Sequence, residues 1–172
     1  LETIQLPKSI NVIHEKLFTR CVSLKEVDIP GIRYIGAEAF SDCKSLKKLT
    51  NAEAVESIER EAFWNCNSLE WPSFGNSLNK IGEVAFLNCF SFKQIVIPDS
   101  VTEIRRRAFC HCDNLEKLVL PASLKIWNQS ATKCCPKLHT IVNRSNLSCQ
   151  IYDFDWYRIW KTNKKRIKKV PA

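Results

Sequence analysis

The stretch Ile95 to Pro121, IVIPDSVTEIRRRAFCHCDNLEKLVLP, decides the fold, because the rest of the chain repeats it. Its spaced apolar residues are Ile95 and Ile97 before Pro98, Val101 and Ile104, then Ala108-Phe109-x-x-Cys112-x-x-Leu115, and finally Leu118 and Leu120 before Pro121. The phenylalanine returns at Phe18, Phe40, Phe63, Phe86 and Phe109, and the cysteine at Cys21, Cys43, Cys66, Cys89, Cys112 and Cys135, a period of 22 or 23 residues. Three residues after the cysteine stands Leu24, Leu46, Leu69, Phe92, Leu115 or Leu138, and eight before it Ile13, Ile35, Ile58, Ile81, Ile104 or Trp127. A unit of this size cannot bury its own apolar face. Neighbouring units must stack and share a continuous core, which predicts a solenoid of about six repeats.

Within a unit, the alternation at Ile95 and Ile97 predicts a short strand with one face inward, ended by the proline. Stacked in register, these strands form one parallel sheet. The Ala-Phe-x-x-Cys segment has helical spacing but spans barely two turns, so a short helical or 3₁₀ turn is expected there. Three units depart from the template. Asn51 replaces a column isoleucine and Pro72 occupies a strand position, which predicts irregularity between Leu49 and Gly75. In the last unit Trp127 and Thr132 exchange large for small across the core.

The strings IPDSVTEIRRRAFCHCDNLEKLVLP and IPGIRYIGAEAFSDCKSL resemble the BspA-like class of leucine-rich repeats over residues 1–143. The resemblance implies a curved solenoid with its parallel sheet on the concave side. It also implies a setting on bacterial or protist surfaces, as an adhesin or antigen binding a host or matrix protein.

After Asn143 the pattern stops. Residues 144–160 hold Tyr152, Phe154, Trp156, Tyr157 and Trp160 and are expected to cap the open end of the stack. Residues 161–172 form a basic tail, expected to be mobile, with Lys161, Lys164, Lys165, Arg166, Lys168 and Lys169 as an auxiliary electrostatic contact. The net charge is +8, yet residues 1–157 hold 19 basic against 18 acidic side chains, so the repeat body is nearly neutral. The chain opens within a repeat and contains no methionine, as expected of a fragment. No apolar run is long enough to span a membrane.

Six of the nine cysteines occupy one inward column, where they are expected to be buried free thiols rather than disulfides. The group Cys110, His111, Cys112, Cys134, Cys135 and His139 matches no standard zinc spacing once Cys112 and Cys135 are assigned to the core, so neither metal nor cofactor is expected. His14, His111 and His139 are too scattered to activate a thiol nucleophile, and no convergent polar constellation points to an enzyme. The tail and Arg105-Arg106-Arg107 do not interleave with aromatic residues, which argues against a nucleic-acid interface. Sequons at Asn128, Asn143 and Asn146 would carry glycan only in a eukaryotic secretory route.

Solenoids bind through their concave sheet. Its outward positions form one column of Gln5, Asp28, Thr50, Ser73, Val96, Val119 and Val142 and another of Thr3, Glu26, Lys48, Trp71, Gln94, Lys117 and Thr140. Polar residues dominate early and valines late. An apolar stripe on a sheet is a recognition candidate, which selects Trp71, Val96, Lys117, Val119 and Val142 as partner-binding residues. The function read from this is a non-catalytic protein-interaction module. The alternative is an intracellular scaffold held to an acidic assembly by its basic tail.

Overall fold

The computed structural model describes residues 1–128 and 130–147 and the backbone of 166–169. Its strands, in chain order, are β1 (Thr3–Gln5), β2 (Val12–Ile13), β3 (Glu26–Asp28), β4 (Tyr34–Ile35), β5 (Lys48–Thr50), β6 (Ser57–Ile58), β7 (Lys80–Ile81), β8 (Gln94–Val96), β9 (Glu103–Ile104), β10 (Lys117–Leu120), β11 (Ile126–Trp127), β12 (Thr140–Asn143) and β13 (Arg166–Lys169). Every pairing is parallel, and all but that of β12 with β13 join equivalent positions one coil apart, such as Val27 with Leu49 and Ile95 with Leu118. The period therefore appears in space as the coil of a β-solenoid.

One sheet, β2-β4-β6-β7-β9-β11, runs unbroken through six coils. The sheet formed by the Ile-x-Ile-Pro segments does not. It divides into β1-β3-β5 and β8-β10-β12-β13, with no strand from 70 to 74. The irregularity predicted around Asn51 and Pro72 takes two forms: at Asn51 the chain turns left-handed at φ 55° after a normal β5, while at Pro72 the strand itself is lost. Pro72 lacks the amide a ladder needs. At Gly75 a Cβ would sit 2.5 Å from the Glu53 carbonyl oxygen, so the broken coil lies hard against its neighbour.

The predicted helical turns are not helical, and no helix occurs among the described residues. Each turn carries residues in the left-handed region, in the columns Lys16, Glu38, Glu61, Val84, Arg107 and Arg20, Asp42, Asn65, Asn88, His111, Cys134. These interrupt the run of right-handed residues that a helix requires. Hydrogen bonding alternates accordingly. The amides of Leu17, Thr19 and Cys21 bond locally to His14, Lys16 and Phe18, while those of Lys16, Phe18 and Arg20 reach Ala37, Ala39 and Ser41 of the next coil. The turns thereby join the coil-to-coil ladder, and the cooperativity of the stack extends around its circumference.

Inside, the Phe18, Phe40, Phe63, Phe86 and Phe109 rings stack with centroids 5.1–5.6 Å apart and planes within 13° of parallel. Beside them the cysteine column is buried except at its open N-terminal end, where Cys21 is half-buried. The eight cysteines among the described residues are free thiols. Each Sγ–H from Cys43 onward donates to the carbonyl of the phenylalanine one coil back: Cys43 to Phe18 at 3.0 Å, Cys66 to Phe40 at 3.1 Å, Cys89 to Phe63 at 3.3 Å, Cys112 to Phe86 at 3.3 Å and Cys135 to Phe109 at 3.0 Å. A thiol suits this column because it fills a small apolar space and still satisfies a buried carbonyl. In the last coil Thr132 is buried and Trp127 packs against the core, but the Trp127 indole N–H has no partner among the described residues.

Candidate recognition face

The sheet interrupted at Pro72 presents two different outward surfaces. In β1, β3 and β5 the central residues Val27 and Leu49 turn inward, so Gln5, Asp28 and Thr50 share one outward column. There the Asp28 carboxylate accepts from Gln5 Nε2 at 3.1 Å, Thr50 Oγ1 at 3.2 Å and Asn51 Nδ2 at 2.6 Å. Most of its acceptor capacity is consumed within the protein.

In β8, β10 and β12 the inward residues are Ile95, Leu118 and Ile141, and the outward column is Val96, Val119, Val142. Val96 has a paired strand on one side only and is 56% exposed. Val119, between two strands, is 5% exposed and lies outside the contiguous core cluster, while Val142 is half-buried. Gln94 is exposed and Lys117 half-buried in the neighbouring column.

Trp71 does not take the outward place that alternation predicts. Freed from a strand by Pro72, it is half-buried and packs on the core, with ring centroids 5.3 Å from Phe74 and Phe86, 5.6 Å from Phe92 and 5.9 Å from Phe109. The alternation rule failed here because it presupposes the strand that the proline removed. An apolar residue beside a strand-breaking proline was the available signal.

The basic tail also differs from a mobile end over four residues. β13 pairs with β12 in the register Thr140–Arg166, Ile141–Ile167, Val142–Lys168 and Asn143–Lys169, which places Arg166 and Lys168 in the two outward columns. Lys161, Lys164, Lys165 and the aromatic segment Tyr152 to Trp160 lie outside the described residues. Within the Arg105-Arg106-Arg107 run, Arg105 pairs with Glu103 and Arg106 with Glu83 at 3.3 Å. Of the sequons, Asn143 is buried and its amide donates to the Leu147 carbonyl at 2.8 Å, so the folded chain offers no nitrogen there for glycan attachment.

The structure also brings together a group that spacing alone dismissed. Cys110, His111 and Cys134 hold ligand-type atoms within 4.8 Å of one another. Burial pushes the Cys110 thiol up to about 12, and the nearby sulfurs of Cys134 and Cys135 act in the same direction. The signal was the period itself: residues 111 and 134 are one repeat apart and so stand side by side.

Comparison with known proteins rests on this geometry. The sequence model for the BspA-type leucine-rich repeat region matches residues 1–70 and 33–155, in six copies. The chain belongs to the BspA-type leucine-rich repeat family. Among solved structures of such repeats, a leucine-rich repeat protein of Treponema pallidum is 32% identical, with a TM-score of 0.72 over 84% of this chain and 69% of its own. One from Bacteroides ovatus is 30% identical, with a TM-score of 0.76 over 82% of this chain, which spans only 39% of that protein. The pneumococcal vaccine antigen PcpA shares the fold at 21% identity, with a TM-score of 0.65 over 86% of this chain and 46% of its own. No curated protein sequence matches. Among the described residues of this leucine-rich repeat chain, no helix is long and apolar enough to cross a membrane.

Proposed function

We propose that this leucine-rich repeat chain is a non-catalytic recognition module that binds another protein through the C-terminal half of its concave sheet. The observation that carries the reading is Val96, an apolar side chain 56% exposed on a strand, with Gln94 two residues before it, Lys117 opposite Gln94 on the next strand, and Val142 in the same column two strands away. A small apolar centre with polar neighbours on fixed backbone is the arrangement that protein recognition uses, because little side-chain entropy is lost on docking. The register of β13 adds Arg166 and Lys168 at the rim, which favours a partner with acidic residues around an apolar contact. In this reading the setting is a cell surface, the chain is part of an adhesin or antigen, and the partner is a host or matrix protein.

The test is surface plasmon resonance against a panel of purified extracellular-matrix proteins, using the 172-residue chain, Val96→Asp, and a variant with the six tail cations Lys161, Lys164, Lys165, Arg166, Lys168 and Lys169 changed to glutamine. One panel member is expected to bind. Val96→Asp is expected to weaken it by about tenfold or more at every salt concentration, as burial of an unpaired carboxylate requires. Loss of the tail charges should matter mainly at low salt, since exposed charges are screened beyond roughly 8–10 Å at physiological ionic strength. Binding that ignores Val96→Asp but vanishes with the tail charges would replace this reading with that of an intracellular scaffold and a basic clamp. Failure to bind any member removes the matrix-protein partner.

A further inference from the structure

The last two coils lose two lateral bonding systems at the same place. On the turn side, Asn65 Nδ2 donates to Asp42 Oδ1 at 2.8 Å and Asn88 Nδ2 to Asn65 Oδ1 at 2.7 Å, an amide ladder along the left-handed column. The next two members of that column are His111 and Cys134, which cannot continue an amide ladder. The phenyl stack likewise ends at Phe109, because Thr132 follows it. The backbone still joins these coils, with the His111 amide 3.1 Å from the Lys133 carbonyl oxygen. The donor type changes where the amide links end: the imidazole of His111 and the thiol of Cys134 take the places of the amides, and Cys110 adds a second thiol from the position beside His111.

We propose that the sulfurs of Cys110 and Cys134 and an imidazole nitrogen of His111 bind one Zn²⁺ ion, which ties the last coil to the one before it. The three donor atoms already lie within 4.8 Å of one another. A tetrahedral zinc with bonds of about 2.0–2.3 Å holds such donors roughly 3.5–3.8 Å apart, so closure requires side-chain movement of about 1 Å. Thiolate and imidazole donors select zinc over magnesium or calcium, which take oxygen. The Asp113 carboxylate, 4.0 Å from His111 Nδ1, adds negative charge beside the site. Cys110 is buried, Cys134 half-buried and His111 exposed, so the site opens on one side and its fourth position faces water. Binding releases the two thiol protons to solvent. Cys112 and Cys135 take no part, since their thiols already donate to Phe86 and Phe109. The site is separate from the proposed recognition face and stands or falls independently of it.

The experiment is titration of the full, reduced chain with Co²⁺ and then Zn²⁺, read by absorption spectroscopy and thermal melting. At one equivalent, Co²⁺ is expected to produce the ligand-field bands of a tetrahedral ion together with thiolate-to-metal charge transfer. Zn²⁺ should displace it and raise the melting temperature. The double variant His111→Asn, Cys134→Asn restores the residue that the inner coils carry in this column and that accepts the left-handed backbone. It should fold, lose the bands and the rise in melting temperature, and bind zinc more than about a hundredfold more weakly, since even outer-shell changes cost ten- to a hundredfold. Cys110→Ser, which leaves the left-handed column untouched, should do the same. A featureless wild-type titration, or bands that persist in these variants, overturns the proposal.

Discussion

In β1, β3 and β5 the outward column reads Gln5, Asp28 and Thr50, while in β8, β10 and β12 it reads Val96, Val119 and Val142. Both rest on the same kind of interior, with Val27 and Leu49 beneath one and Ile95, Leu118 and Ile141 beneath the other. The polar column spends its hydrogen bonds laterally and stiffens its own half. The valine column makes no such bonds; Val119 is already buried by its neighbours and Val142 half-buried, which leaves Val96 as the apolar surface that a partner would cover. Its exposed member, Val96, is the one beside the break, where Pro72 removed the neighbouring strand. Strand loss and surface exposure are therefore one event, and a feature that reads as damage to the repeat creates the candidate contact.

The largest test of this contrast is Trp71→Ala. If the ring fills the gap left by the missing strand, stability falls by about 3 kcal/mol in denaturant unfolding, as for other aromatic truncations in cores. A change under about 0.5 kcal/mol, the usual surface value, would return Trp71 to the outward face. Next in size is Asp28→Ala, which removes the shared acceptor of Gln5, Thr50 and Asn51. A loss of about 1 kcal/mol is expected, with partner binding unchanged. Weakened binding would extend the recognition face into the polar half.

The smallest effect concerns the interior that both halves share. Burial pushes the Cys43 thiol up to about 12, and burial raises Cys66, Cys89 and Cys112 in the same direction, so these sulfurs stay protonated and inert. A thiol reagent at neutral pH should modify half-buried Cys21 first and spare Cys43, Cys66, Cys89, Cys112 and Cys135 until denaturant is added. Rapid labelling of the five would break the shared core. Unfolded thiols ionise near about 8.5, the buried ones far higher, so the stabilisation is complete below that pH and is lost as pH climbs toward the folded values.

How much was legible follows from what each residue depends on. The Phe and Cys columns, the 22–23-residue period and the parallel register could be read from spacing, because a stack places residue i above its equivalent one repeat on whatever the details of the turn. The alternation that assigns Val96 outward and Ile95 inward needed only the pleat of a strand. The turns could not be read, because helical spacing and a left-handed zigzag put apolar residues on the same side, and the outcome depends on amides reaching the next coil. Trp71 could not be placed either, since a side chain next to a broken strand goes wherever packing space exists, here against Phe86 and Phe92. The Cys110, His111 and Cys134 cluster matches no local ligand spacing, for its donors come from two coils; only the repeat period, which sets residues 111 and 134 side by side, pointed to it. The chain alone thus determined which residues repeat, while tertiary packing decided what fills each place where the repeat fails, because only there do local pattern and available volume disagree.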